Sequence, residues 1–401
     1  MKPAIRQLTW RDGNAVRLLS NGVEFFPALC RALDAAQTSI HLETYIFELD
    51  EAGELVLERM ARACARGVKL RVALDGFGCA LTCPELVRRI TGMGGQCRVY
   101  RPEPGWLGRL VPDRQRLRRM HRKTAVIDAR VAFVGGINII DDFFEEIGAA
   151  PMDHPRFDYA VEVRGPIVAD VAHAQDHLWL RMSGTGLRAR AARLREPRLR
   201  RIPLPATEGD VRAAFVLRDN LRFRKTIERV YLYGIRHAQR EILISNAYFF
   251  PGRRFRRELS AAVARGVRVR LLLQGKIEYR MQYYASRALY EKLLEAGIEI
   301  HEYMPSLLHA KVAVIDGYAT VGSSNLDPFS LLLAREANLV VDDAPFARAL
   351  QASLETALRA GGREVEREAY GRRGLVQRMV DTVSYTLLRM AVSLTGGGRQ
   401  Y

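Results

Sequence analysis

The chain has 401 residues, 48% of them hydrophobic and 27% charged, and this balance excludes a disordered protein. Its 62 lysines and arginines exceed its 45 acidic residues, so the net charge of +17 favours polyanionic partners, either nucleic acid or an anionic membrane surface. The length predicts two domains, and the lack of a signal peptide or an apolar run of about 18 residues predicts no spanning helix.

Two series of predicted elements follow each other in the same order. The first contains strands at residues 40–47 and 69–74, and the second contains strands at 242–250 and 268–273. In both series a helix ending in Ala-Arg-Gly-Val separates the two strands, and another helix and strand follow. Strand and helix alternation at this spacing predicts an α/β fold with right-handed βαβ units, and therefore a largely parallel sheet in each half.

Each series ends in the motif His-x-Lys-x-x-x-x-Asp, followed by a glycine-containing turn and an asparagine. The first copy consists of His121, Lys123 and Asp128, followed by Gly136 and Asn138. The second copy consists of His309, Lys311 and Asp316, followed by Ser323 and Asn325. The repeat predicts an N-terminal domain at 1–183, a basic linker at 184–210, a C-terminal domain at 211–360 and a basic amphipathic tail at 361–401.

The halves differ just ahead of the first motif. Residues 102–119 form an insertion that holds Trp106 and five arginines, and the second half has no equivalent. An aromatic, cationic loop at this place is typical of a contact with lipid headgroups, and a solvated basic loop is the alternative. The tail segment 375–395 is also amphipathic, which predicts either a helix at a membrane interface or a helix packed on the body of the protein.

The motif residues suit phosphodiester chemistry. Since His and Lys are two positions apart on a predicted strand, both side chains point to the same face. One imidazole can attack phosphorus and the other can protonate the departing oxygen. Lysines and asparagines can hold the nonbridging oxygens. We expect no metal and no cofactor, because no cluster of carboxylates is placed to hold a divalent ion, and the five cysteines lack paired zinc spacing.

Two further acidic residues, Asp158 and Glu336, follow the motifs in matching positions. We predict that each carboxylate bonds the far nitrogen of a motif histidine and sets its tautomer, although the sequence leaves the pairing open. Asp128 and Asp316 have two alternative roles, as chemical participants or as structural anchors at strand ends.

With the duplicated motif and the stretches at 120–123, 246–252 and 321–328, the chain resembles the phospholipase D superfamily, and within it the bacterial cardiolipin synthases of the B-type. The resemblance covers about residues 10–346. It implies two tandem α/β/α sandwich domains related by a pseudo-twofold axis, with one active site at their interface. It also implies a phosphatidyl-histidine intermediate, with His121 as nucleophile and His309 as general acid, although near-symmetric halves give no chemical reason for that choice.

The resemblance further implies a phosphatidyltransferase. The donor would be phosphatidylglycerol or phosphatidylethanolamine, and the acceptor phosphatidylglycerol or glycerol. The alternative is a hydrolase or nuclease of the same superfamily. Two intact motifs and the apolar segments favour lipid, so we expect an anionic phospholipid membrane as partner and no nucleic acid. We expect a peripheral protein at the cytoplasmic face of the cell membrane, and the sequence predicts no oligomeric state.

Overall fold

The computed structural model describes residues 8–103, 118–144, 151–183, 203–219 and 223–392. The insertion around Trp106 and most of the predicted linker, residues 184–202, therefore lie outside the described residues. In the part that is described, no helix combines the length and the apolar character needed to cross a bilayer.

The N-terminal half begins with a long strand and ends with a long helix. In chain order its elements are β1 (Trp10–Ser20), α1 (Asn21–Ala35), β2 (Ser39–Thr44), α2 (Glu51–Ala65), β3 (Lys69–Asp75), α3 (Cys83–Gly92), β4 (Gln96–Tyr100), β5 (Lys123–Ile127), β6 (Val131–Gly135), β7 (Tyr159–Arg164) and α4 (Ile167–Met182).

The C-terminal half repeats this order and adds elements at its end. They are β8 (Val211–Arg218), α5 (Thr226–His237), β9 (Glu241–Asn246), α6 (Arg253–Ala264), β10 (Arg268–Gln274), α7 (Arg280–Arg287), α8 (Tyr290–Glu295), β11 (Glu299–Tyr303), β12 (Lys311–Ile315), β13 (Tyr318–Gly322), α9 (Pro328–Leu332), β14 (Glu336–Asp342), α10 (Ala344–Gly361), β15 (Gly362–Glu364), α11 (Arg367–Gly371) and α12 (Leu375–Val392).

The strands of both halves join into one continuous sheet, which confirms the α/β fold and the internal duplication. Its order is β15-β11-β10-β9-β12-β13-β14-β8-β1-β7-β6-β5-β2-β3-β4. Read outward from the central pair of β1 and β8, the two halves have the same order, β1-β7-β6-β5-β2-β3-β4 and β8-β14-β13-β12-β9-β10-β11, and β15 adds one further edge strand to the second. The pseudo-twofold axis therefore passes between β1 and β8.

The expectation of a largely parallel sheet is wrong. Only β2-β3-β4 and β9-β10-β11 pair in parallel, and the other neighbours in the described sheet run antiparallel. The motif strands β5 and β12 return antiparallel to β2 and β9, and tight turns connect them to β6 and β13. Such short connections cannot make the crossover that parallel pairing requires.

Three clusters of buried hydrophobic side chains show why the halves stay together. One cluster belongs to each half, and the third draws on both, with Val134 and Val161 from the first half and Val312 and Leu339 from the second. Full burial stabilises each such side chain by roughly 1.5–3 kcal/mol. The shared cluster therefore holds the two motif strands at a fixed distance from each other.

The predicted domain boundaries at 183/184 and 210/211 fall between elements, whereas the boundary at 360/361 falls in the last turn of α10, and all three stay predictions. Helix α4 ends at Met182 and β8 begins at Val211, on either side of the predicted linker. The start of the predicted tail is part of the fold, because β15 pairs with β11 at the sheet edge. The tail also forms a helix, α12.

Candidate active site

The two motif histidines lie two residues before β5 and β12, at the points where the chain enters the sheet in each half. The strands themselves are buried throughout, because Thr-Ala-Val-Ile and Val-Ala-Val-Ile supply core side chains. Lys123 Nζ donates to the carbonyl oxygen of His121 at 2.9 Å, and Lys311 Nζ donates to that of His309. Each lysine ammonium is therefore held against the backbone of its own histidine.

Each motif histidine is tied by its backbone to the opposite half of the molecule. The His121 amide donates to the carbonyl oxygen of Arg335 at 2.9 Å, and the His309 amide donates to that of Phe157 at 2.8 Å. These bonds belong to short parallel bridges, Met120 with Arg335 and Phe157 with Leu308. The histidines thus lie at the junction of the halves, which brings the two motifs into one site.

The two acids also cross over. His309 Nδ1 donates to Oδ2 of Asp158 at 2.6 Å, and His121 Nδ1 lies 3.1 Å from Oε2 of Glu336. The structure thus gives the pairing that the sequence left open: each histidine meets the acid of the other half. Since a carboxylate accepts the proton at Nδ1, Nε2 of each imidazole is left for the substrate.

The partners of both carboxylates fix their positions. The hydroxyl of Ser323 donates to Glu336 Oε2 at 2.5 Å and accepts from the Ala337 amide at 3.1 Å. Asp158 Oδ1 accepts from the Tyr159 amide at 2.8 Å. Gly136 lies against Asp158, and a Cβ atom at this position would overlap the carboxylate. Ser323 and Gly136 therefore support the acids and do not face the phosphate as a clamp.

Burial sets the protonation of the lysines. Together with the nearby Lys311, it lowers the pKa of Lys123 to about 7 against the opposing charge of Glu336. It likewise lowers the pKa of Lys311 to about 8, against the pull of Asp158. The two ammonium groups are close enough to influence each other, as expected for a pair that shares one anionic ligand.

Burial also favours neutral imidazoles. It lowers the pKa of His121 despite the opposing charge of Glu336. It lowers the pKa of His309 well below the ordinary value, aided by both lysines and by His121. Burial raises the pKa of Asp158 to about 6. The pair therefore holds a neutral His309 imidazole beside a carboxylate that is still mostly ionised at neutral pH.

The two predicted asparagines are both buried. Asn138 Oδ1 accepts from the Ile46 amide at 3.2 Å, which fixes the side chain at the end of β2 and directs its amide donors elsewhere. Asn325 is 4% exposed. An amide donor held in place in this way is suited to bind a phosphate oxygen.

Asp128 and Asp316 take the anchor role. Asp128 accepts from the amides of residues 37–39 at 2.7–2.8 Å, and Asp316 accepts from those of residues 239–241 at 2.9–3.1 Å. Both have left-handed backbone conformations in the turn after the motif strand. They lie at the opposite end of that strand from the histidines, five strand residues or roughly 17 Å away. Of the two roles that the sequence left open, the geometry therefore favours the structural anchor.

Sequence reasoning missed an aromatic residue that covers the first motif. The ring of Tyr45 lies 4.7 Å from that of His121 and 5.1 Å from Lys123 Nζ. In the second half Tyr248 lies two residues after the end of β9, and its hydroxyl donates to Glu278 at 2.5 Å. The two tyrosines are one position apart in the repeat, because the strand registers match Tyr45 with Ala247 and Tyr248 with Ile46. The signal in the sequence was a tyrosine just after the first βαβ strand of each half.

Among the described residues, no group of three or more His, Cys, Asp and Glu side chains is arranged to hold a metal ion. The expectation of a reaction without metal or cofactor stays a prediction.

Comparison with known proteins places this geometry in a family. The family model described as "Cardiolipin synthase, PLD-like domain" matches residues 29–147 and 231–358, which include both motifs. The chain is 37% identical over 389 residues to cardiolipin synthase B of Shigella flexneri, covering 97% of this chain and 91% of that protein. It is 38% identical over 389 residues to cardiolipin synthase B of Salmonella typhi, covering 96% and 91%.

A solved structure supports the fold independently. Phosphatidylserine synthase of Haemophilus influenzae Rd KW20 matches with a TM-score of 0.72 and covers 98% of both chains. Only 15% of the aligned residues are identical, so this similarity shows the fold alone.

Proposed function

The chain belongs to the cardiolipin synthase family of phospholipase D-like proteins, and we propose that it transfers a phosphatidyl group between alcohols. The donor is phosphatidylglycerol or phosphatidylethanolamine, and the acceptor is the hydroxyl of phosphatidylglycerol or glycerol. With phosphatidylglycerol as both donor and acceptor, the products are cardiolipin and glycerol. The observation that carries this proposal is the pair of histidine–carboxylate contacts that cross between the halves and flank two buried lysines.

The first step forms the intermediate. Nε2 of one histidine, His121 in our assignment, attacks the phosphorus, and the bond from phosphorus to the headgroup oxygen breaks. The other histidine, His309, gives its Nε2 proton to the departing oxygen. Glycerol or ethanolamine therefore leaves with its hydroxyl group protonated. Asp158 stabilises the imidazolium that His309 needs for this transfer.

The second step reverses the roles. His309, now neutral, takes the proton from the hydroxyl of the acceptor, whose oxygen attacks the phosphorus and displaces His121. Lys123, Lys311, Asn138 and Asn325 hold the nonbridging oxygens in both steps. Water in place of the acceptor would give phosphatidic acid. The exclusion of water from the site therefore determines the ratio of transfer to hydrolysis.

We also propose that the protein works as a peripheral protein on the cytoplasmic face of an anionic membrane. Its substrates are lipids, and its +17 charge suits the anionic lipids of that face.

The test is product analysis with purified protein. Labelled phosphatidylglycerol is supplied alone, and phosphatidylethanolamine with glycerol is supplied separately, and products are resolved by thin-layer chromatography. We expect cardiolipin in the first reaction and phosphatidylglycerol in the second. His121→Ala and His309→Ala should each remove both products, whereas His173→Ala, on α4, is the matched control. Phosphatidic acid alone would make the protein a hydrolase, and DNA cleavage without lipid turnover would make it a nuclease.

A further inference from the structure

The C-terminal helix α12 packs on the body by its more polar side. Asp381 is 2% exposed and accepts from Arg373 Nη1 at 2.5 Å, and the ring of Tyr385 lies 5.2 Å from that of Phe250. Leu388 is the one fully buried aliphatic side chain on the described part of this helix. The opposite side exposes an apolar stripe: Leu375, Val376, Met379, Val380, Val383, Leu387 and Met390. A helix that only completed the core would turn its apolar side inward.

Exposed apolar side chains also occur on the two equivalent loops that follow β3 and β10. Phe77 and the 95% exposed Leu81 belong to the first loop. Ile277, Tyr279 and Met281 belong to the second loop and the first turn of α7. We name these five side chains the rim. Single exposed apolar residues are common, but the same feature on both copies of a duplicated loop is not expected by chance.

The rim is attached to the site. In the first half, Cys79 Sγ donates to the carbonyl oxygen of Tyr45 at 3.3 Å, and Tyr45 covers His121. In the second half, the Tyr279 ring lies 5.8 Å from that of Tyr248. Burial is the main cause that raises the pKa of Tyr45, and Asp75 and Tyr279 add to it. Each loop therefore contacts a tyrosine near one of the motifs, and together the loops border the entrance of the site.

The stripe continues from the rim. Helix α12 lies along α7, whose first turn carries Met281, and Arg378 of α12 approaches Glu291 of α8 at 3.9 Å. Cations accompany the apolar groups, since the guanidinium of Arg119 stands 4.9 Å over the ring of Phe77, and Arg280 and Arg372 are exposed. Apolar side chains beside arginines are the composition that binds at an anionic lipid interface.

We propose that the α12 stripe and the rim form one surface that docks the protein on an anionic phospholipid bilayer, with the site entrance toward the headgroups. This inference rests on the proposed function, because a lipid substrate must present its phosphate to the site while its acyl chains stay in the bilayer. A second copy of the chain is the other candidate occupant. The net charge of +17 opposes self-association and favours anionic lipid.

The test is vesicle flotation of the full-length chain with phosphatidylglycerol–phosphatidylcholine vesicles. The test variant is Val383→Ser/Leu387→Ser, whose side chains are 49% and 54% exposed. The matched control is Tyr318→Ser, whose side chain is 45% exposed beside Asp316, at the end of the motif strand opposite His309. We expect the test variant to partition onto the vesicles at least about tenfold more weakly, and the control to bind like the wild type. Circular dichroism and thermal unfolding verify that both variants are folded.

Equal binding of the test variant and the wild type, equal loss in the control, or no binding of the wild type would overturn the proposal. A wild-type dimer in light scattering that the test variant dissociates would assign the stripe to a second copy and overturn it as well. Flotation measures binding to vesicles and requires no turnover. A failure of the docking proposal can therefore be distinguished from a failure of the proposed reaction.

Discussion

His309 Nδ1 donates to Asp158 Oδ2 across 2.6 Å, although 151 residues separate the two in the chain. The acid belongs to the N-terminal half and the histidine to the C-terminal half. The reciprocal contact joins His121 to Glu336. Neither half contains a complete histidine–carboxylate pair of its own, so the catalytic unit is the junction of the two halves and not a single repeat.

Replacement of Asp158 tests this reciprocity. Asp158→Asn keeps the shape of the side chain but removes the charge that stabilises the His309 imidazolium, so we expect turnover to fall by roughly 10²–10⁴-fold. A role in stability alone would not change the pH profile, whereas loss of the carboxylate should. Steady-state rates across pH are the measurement. Glu336→Gln should show the equivalent effect through His121, and an unchanged rate and profile in both variants would exclude the proposed role of the acids.

The close approach at Gly136 predicts a positional effect. In Gly136→Ala the new methyl group would overlap the Asp158 carboxylate and push it away from His309. Since displacements of about 1 Å cost on the order of 10²-fold in rate, we expect a loss of that size at saturating substrate. Gly92→Ala is the matched control, because no atom lies within 4 Å of its added Cβ. Similar activity in the two variants would contradict the expected displacement.

The pKa values of the two lysines predict how kcat/KM falls along the alkaline limb of the pH profile. Burial lowers the pKa of Lys123 to about 7 and that of Lys311 to about 8, so the free protein loses cationic charge as pH rises through this window. We expect kcat/KM to fall there, because the phosphate then meets fewer ammonium groups. Lys311→Arg should move the limb to higher pH at a lower maximal rate, since arginine stays charged. A limb that does not move in this variant would assign it to another group.

The anchor role of Asp128 predicts an effect on stability rather than chemistry. Burial raises the pKa of this carboxyl, but three backbone amides and the Thr38 hydroxyl outweigh it, and the net direction is downward. The stabilisation is therefore present above the unfolded pKa and is lost as pH falls through the folded pKa. Asp128→Ala should lower the free energy of unfolding by about 1–3 kcal/mol. Urea unfolding and rates of the folded variant provide the check, and a catalytic defect without a change in stability would contradict it.

Much of the fold was readable from the repeat itself. The strands at 69–74 and 268–273 occur within one residue of their predicted ends, and the duplicated order predicted the symmetric sheet. Strand directions were not readable, because the apolar pattern of a buried strand is the same whether its neighbour is parallel or antiparallel. The tight turn after Asp128 was the local signal for an antiparallel return.

The site was predictable in its residue types but not in its pairing. The duplicated motif predicted His121 and His309 as site residues. Nothing local in the sequence, however, connects His121 with Glu336, which lies 215 residues away in the chain. The amphipathic pattern of α12 was also visible, but not which side packs inward. That depends on the ion pair of Asp381 with Arg373, which only the folded chain brings together.

The most direct test of one composite site is the stoichiometry of the covalent intermediate. Protein is denatured in detergent at mildly alkaline pH during turnover of labelled phosphatidylglycerol, because acid would hydrolyse the phosphorus–nitrogen bond. It is then digested, and the labelled histidine is identified by mass spectrometry. A composite site predicts at most one phosphatidyl group per chain, always on the same motif histidine, and no label when that histidine is replaced by alanine. Two phosphatidyl groups per chain, or label on both His121 and His309 of the wild type, would show two independent sites and contradict the account.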